Sequence, residues 1–340
     1  MGMRVLYHLN TSELKNIPEE ARCAETLGYD GLCTEETSHD PFIPLLLAAS
    51  ATSRVTLETR VAIAFPRSPM VVAYTAMDLQ NYSGGRFRLG LGTQVKGHIE
   101  RRFSTNWVSP GPRLREYVQS LRAIWDNWQD GKTLDFHGKF YNFSLMTPFF
   151  SPGASAVGAP PVFISALNPY NCRVAGEVCD GVALHPITSA KYLTDVIKPN
   201  ISTGAAKAGR SPADITLAGA GFVVTGPDQQ TIHDRKEAVK RQIAFYFSTR
   251  TYFPVLEVHG FQEVGQRLHE MSLKGEWGQM GGLVSDEMLD VFAVVGPYDE
   301  VAGRIKERFG GLLDEVVLSV GAPSPGDQGA VKKIIEALQA

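Results

Sequence analysis

The chain has little of several things that would otherwise decide its class. Only four of its 340 residues are cysteine, Cys23, Cys33, Cys172 and Cys179, and no two form a Cys-x-x-Cys pair. Neither a disulfide framework nor a zinc site is indicated, and the thiols read as reduced and mostly buried. No apolar run approaches the ~18 residues of a membrane helix. Glu13, Lys15, Glu19 and Glu20 interrupt any signal peptide at the amino terminus, so the expected location is cytoplasmic, without a membrane partner. Neither sign of charge dominates: 33 basic against 36 acidic side chains leave a net −3, which provides no electrostatic footprint for nucleic acid. What the chain does have is 44% hydrophobic and 20% charged residues, the balance of an ordered protein with a large core.

Strand and helix patterns alternate along the whole length. Strands are expected over 3–9, 29–34, 55–64, 86–92, 162–166, 181–185, 215–225 and 315–320. Between them lie helices at 12–28, with Ser12 as N-cap and Ile17, Ala21, Ala24 and Leu27 as its apolar stripe, and at 42–52, apolar on nearly every side. Others follow at 69–82, opened by Pro69, around Leu114 to Trp128, and at 170–179, 190–208 and 298–309. Val331, Ile334, Ile335 and Leu338 mark a closing helix. Eight strand–helix units make a single α/β domain over 1–340, a (β/α)8 TIM barrel with insertions at about 131–161 (hairpin and loop) and 228–290 (mainly helical). A doubly wound sheet is the alternative, but Gly90-Leu91-Gly92 has two of the three fingerprint glycines and follows the fourth strand, not the first.

Barrel active sites lie at the carboxyl ends of the strands, which directs attention to the residues just after each one. After strand two, Glu35-Glu36-Thr37-Ser38-His39-Asp40 sets carboxylates beside an imidazole, as proton transfer requires, although Ser38 or Asp40 would serve equally as a helix cap. After strand four come Thr93, Gln94 and His98, which fit an exposed charged loop as well as a site. After strand five, Ala166-Leu167-Asn168-Pro169-Tyr170-Asn171 opens a helix whose amino terminus suits a phosphate, with Asn168 as cap. His185 ends strand six. Glu58 and Arg60 share a face of strand three, as Arg86 and Arg88 do of strand four, so a Glu58–Arg88 or Glu58–Arg60 pair inside the barrel is expected in a structural role.

Four stretches resemble the luciferase-like flavin and deazaflavin oxidoreductase superfamily, in particular its coenzyme F420-dependent branch. They are Gly28-Tyr29-Asp30-Gly31 leading into residues 36–42, Ala64-Phe65-Pro66-Arg67-Ser68-Pro69-Met70, residues 83–94, and Ala175-Gly176-Glu177-Val178-Cys179-Asp180-Gly181 with His185-Pro186. The resemblance covers essentially the whole chain and implies a barrel mouth that binds F420 or, alternatively, FMN. It further implies that Glu36 and His39 face the ring or substrate and that Ala62-Ile63 forms a bulge, which in relatives often contains a non-proline cis peptide. Thr93, Gln94 and His98 would line the ring; Ala166, Leu167, Asn168 and Asn171 would hold the ribityl-phosphate end, with His185 nearby. Val95 stands where some deazaflavin dehydrogenases have a glutamate, which passes the proton role to His39 or His98; Glu58 or Arg60 replaces the usual glycine of strand three.

The function implied is F420-dependent hydride transfer to or from a small organic substrate. One alternative is an FMN-dependent two-component monooxygenase served by a separate reductase, and another is a flavin-binding barrel without catalysis. No metal site is indicated, and a homodimer is expected from the relatives. The 228–290 insertion, with Arg250, Tyr252, Phe253, His259, Trp277 and Met280, reads equally as a lid over the mouth or a packing surface.

Overall fold

The computed structural model describes residues 2–219, 221–318, 320 and 326–340. Eight parallel strands close into a ring: β1 (Arg4–His8), β2 (Gly31–Thr34), β3 (Thr56–Thr59), β4 (Phe87–Gly92), β5 (Val162–Ile164), β6 (Gly181–Ala183), β7 (Thr216–Ala218) and β8 (Glu315–Val317). Each strand pairs with the next, and β8 returns to β1 through Arg4↔Glu315, Val5↔Val316 and Leu6↔Val317. Parallel neighbours need a crossover connection, and the helices supply it, so the expected (β/α)8 barrel is the fold. Among the described residues no helix is long and apolar enough to cross a membrane.

The elements depart from the sequence expectation where a local rule was overlooked or a distant contact intervenes. The first helix is Ile17–Leu27, not 12–28, because Pro18 is tolerated only in a first turn. Ser12 is not its cap; its Oγ donates to Asn10 Oδ1 at 2.8 Å. The expected strand 55–64 is β3 plus the separate piece Ala62–Ile63, with a cis peptide at Arg60–Val61 between them. The irregularity assigned to Ala62-Ile63 thus lies two residues earlier, and Ala62 and Ile63 pair regularly with Leu91 and Gly92. The expected strand 215–225 breaks after Ala218 at Gly219 and Gly221, whose φ values of +73° and +67° suit glycine; Ala220 lies outside the described residues. Phe222–Val224 leaves the ring and pairs with Ala293–Val295 at the end of the insertion. β8 ends at Val317, and Ser319 of the expected strand 315–320 is also outside the described residues.

Gly90 and Gly92, the weak fingerprint match, owe their presence to packing. A Cβ on Gly90 would stand 1.9 Å from the Thr59 carbonyl oxygen, and one on Gly92 2.6 Å from Val61 Cγ2. β4 therefore gives up two side chains so that the irregular end of β3 can lie against it.

The barrel interior holds a chain of alternating charges. Arg4 Nη1 lies 2.8 Å from Glu315 Oε1, Arg88 grips Glu315 with two bonds of 2.8 Å, Arg88 Nη2 lies 2.7 Å from Glu58 Oε2, and Arg60 Nη1 lies 2.9 Å from Glu58 Oε1. Both pairings expected for Glu58 are present. Glu58 and Glu315 are each 1% exposed, so neither could remain charged without these partners. Burial alone would raise the Glu315 carboxyl's pKa; Arg88 and Arg4 outweigh it and hold that carboxyl below its usual value. Arg86 turns outward and donates to the carbonyls of Ala49, Thr52 and Val55, fastening the end of the helix Phe42–Ala51.

Candidate active site

Because all eight strands run the same way, their carboxyl ends form one mouth, and the residues singled out after each strand are gathered there. Glu36, past β2, is fully engaged. Its Oε2 accepts the Ile63 N–H at 2.7 Å, and Arg67 Nη1 donates to Oε1 and Oε2 at 2.9 and 2.7 Å. Arg67 Nη2 also reaches Asp40 Oδ2 at 3.1 Å, while Asp40 Oδ1 accepts the N–H of Phe42 at 2.8 Å. Asp40 thus caps the following helix and braces the loop. Burial works against the Arg67 charge, but Glu36 and Asp40 more than compensate and raise its pKa. The resulting clamp joins the β2 loop to Ala62–Ile63.

His39 lies on the bend between these two anchored carboxylates and is exposed, as is His98 on the short helix Lys96–Arg101. Arg102 donates to the Thr37 carbonyl and ties the two loops together. Thr93 and Gln94 are half-buried between them; Gln94 has φ +58°, and its Oε1 accepts the Val95 N–H at 2.9 Å. Val95 stands just before that helix as its N-cap residue, and as a valine it offers no ionisable group at the position that carries a glutamate in some relatives.

Past β5, Asn168 caps the helix Pro169–Val178, its Oδ1 accepting the Asn171 N–H at 2.9 Å with Pro169 in the first turn, as expected. Ala166 and Asn171 are buried, Leu167 and Asn168 half-buried. Gly111, at the start of the helix Pro110–Asp130, leaves room there, since a Cβ would approach the Tyr170 ring to 2.4 Å. At the start of the helix Pro169–Val178, Pro169 has no N–H and those of Asn171 and Cys172 donate to Asn168, so the Tyr170 N–H and the positive dipole end are what it offers an anion.

His185, past β6, packs under the insertion. The Tyr246 ring meets it edge-on at 4.5 Å and the Tyr252 ring at 5.1 Å, while Ser189 Oγ and His259 Nε2, 2.7 Å apart, tether the insertion to the β6 loop. Burial pushes the His185 pKa down to about 4. The folded value lies below that of the unfolded chain, so the unfolded state takes up the proton first. Stability from the neutral ring is complete above about pH 6.5, falls as the pH drops towards 4, and then levels off. At pH 4.5 the urea-unfolding free energy should have fallen from its pH 7 value by about 2–3 kcal/mol more in the native chain than in His185→Phe. Equal falls would mean that His185 is not held neutral.

Sequence reasoning missed His8 and Tyr246. His8 ends β1, and its Nε2 is buried without a hydrogen-bond partner, 3.8 Å from Glu35 Oε2. Burial lowers its pKa, Glu35 pulls it up, and Arg60 lowers it again. Its position at the end of an expected strand was the available signal. Tyr246 gave none, because only the folded insertion carries it to His185 and within electrostatic reach of Glu35; burial and then Glu35 raise its pKa against the lowering pull of Gln242. Among the described residues no group of three or more His, Cys, Asp or Glu side chains is arranged to hold a metal ion.

Known proteins share both the sequence and the architecture. An uncharacterized protein of Mycobacterium tuberculosis is 47% identical over 306 residues, 90% of each chain. The 5,10-methylenetetrahydromethanopterin reductase of Archaeoglobus fulgidus is 29% identical over 315 residues, covering 90% of this chain and 89% of its own. The structure of the coenzyme F420-dependent tetrahydromethanopterin reductase from Methanopyrus kandleri superposes with a TM-score of 0.79 at 22% identity, over 98% of this chain and 97% of that one. The profile of the luciferase-like monooxygenases matches residues 2–315, from β1 to the start of β8, and the chain belongs to this family of oxidoreductases.

Proposed function

We propose that the protein is a coenzyme F420-dependent oxidoreductase that moves a hydride between the deazaflavin and a small organic substrate. The observation that carries this reading is the likeness to methylenetetrahydromethanopterin reductases over nine-tenths of the chain. The mouth fits such a cofactor: it has a wall at Ala62–Ile63, paired regularly with Leu91 and Gly92, and a helix amino terminus capped by Asn168. When bound, the deazaflavin supplies hydride transfer at its ring carbon C5.

The chain's own groups divide the remaining tasks. Ala62 and Ile63, held by the Glu36–Arg67 clamp, give the ring a wall that does not yield, and Thr93 and Gln94 line its edge. Ala166, Leu167, Asn168 and Asn171 receive the phosphate end. His185 stays neutral and, with Tyr246 and Tyr252 above it, excludes water from one side of the mouth. Glu36 has both oxygens occupied and serves as a positioning residue. His39 is free to exchange with solvent on an anchored loop, so it moves the proton that accompanies the hydride, with His98 beside it on the neighbouring loop.

Fluorescence titration of the purified apo-protein tests the reading. Coenzyme F420 is expected to bind at least about tenfold more tightly than FMN, a difference of about 1.4 kcal/mol. The reverse preference overturns the proposal and turns the search to oxygen consumption with a partner reductase.

A further inference from the structure

Beside the mouth, between β1 and the helix Ile17–Leu27, lies a cavity of about 620 Å³, within the range of small-molecule sites. It runs from His8 and Glu35 at the strand ends to Cys23 on the helix. Tyr7, Leu9, Ala24 and Leu27 form its apolar wall, and four carboxylates, Glu13, Glu19, Glu20 and Glu35, face it with no lysine or arginine in the lining. Two of the four are committed. Glu20 Oε1 accepts the Tyr7 hydroxyl at 2.8 Å and the Asn10 N–H at 3.1 Å, and Glu13 lies 3.4 Å from Lys15. Among the described residues Glu19 has no ion pair, and Glu35 has only the His8 nitrogen at 3.8 Å.

His8 Nε2 is a further sign of a ligand: it belongs to the cavity lining, is buried, and makes no hydrogen bond, with Glu35 Oε2 3.8 Å away. We propose that this cavity takes an amine-bearing portion of the substrate, an organic cation recognised by Glu35 and Glu19, and that it rejects carboxylate substrates. An ammonium has three donors to offer Glu35, Glu19 and the imidazole, whereas an anion would meet the like charge of Glu19 and Glu35, neither of which is paired with a lysine or arginine among the described residues. The inference rests on the mouth being the active site, as proposed above.

Cys23 reports on occupancy directly, since it is half-buried on the cavity wall while the other three cysteines are buried. Its alkylation by neutral iodoacetamide at pH 8, read by mass spectrometry at that position, is compared with hexylamine, 1-hexanol or hexanoate present at equal concentration. Hexylammonium is expected to slow labelling about threefold or more relative to hexanoate, and Glu35→Gln and Glu19→Gln each to shrink that difference. Equal protection by hexanoate, or no protection by any probe in the native chain, overturns the proposal without recourse to a variant. Titrating the same protein with F420 separates the two readings. F420 binding without amine protection sinks the cavity alone, and amine protection without F420 binding sinks the cofactor assignment alone.

Discussion

Glu58→Gln is expected to lower the free energy of unfolding by about 3–5 kcal/mol, the cost of leaving a buried charge without its counter-ion. Arg88 would retain Glu315, but Arg60 would lose its ion pair and keep only neutral acceptors, the carbonyls of Ala218 at 2.8 Å and Leu184 at 3.4 Å and the new amide oxygen. Its side chain is 7% exposed, so water cannot replace the lost carboxylate. Arg4→Met, at the end of the same chain where the side chain is 44% exposed, should cost under about 1 kcal/mol. Urea unfolding followed by tryptophan fluorescence measures both. Cofactor affinity should survive Glu58→Gln wherever the variant is folded, because the network lies below the mouth. A large affinity loss in a fully folded variant would give Glu58 a place in the site and end its assignment to structure.

His39→Ala is expected to lower turnover by about 10²–10⁴-fold while F420 affinity changes by less than about twofold, the pattern of a lost proton-transfer group. The side chain is exposed, so the effect should lie in kcat and leave unfolding unchanged. Glu36→Gln makes the contrast. It weakens the clamp on Arg67 and Ile63, and should move cofactor affinity and stability together. Unchanged turnover in His39→Ala, with a loss in His8→Gln instead, would reassign the proton step to the end of β1.

The barrel and its strand order were legible because hydrophobic periodicity is local and was written eight times. The asparagine cap at Asn168 was legible for the same reason, since Asn168, Pro169 and Asn171 lie within four residues. The pairing of Glu58 with Arg60 and Arg88 followed from alternation along two adjacent strands. Other features depended on partners that no window of sequence contains. Arg88 meets Glu315 across 227 residues, and Glu36 meets Arg67 across 31.

The sequence by itself determined the family, the parallel ring and the loops on which chemistry must lie, because strand–helix alternation and motif spacing are properties of neighbouring residues. The tertiary structure alone decided that the break in β3 falls at Arg60–Val61 instead of Ala62-Ile63, that Glu36 is locked while His39 stays free, and that Tyr246 and Tyr252 cover His185. It also decided that the buried Nε2 of His8 lines an acidic cavity without a hydrogen bond, 3.8 Å from Glu35. The physical reason is the same in each case: a side chain's role depends on which distant donor, carboxylate or ring the closed barrel presses against it.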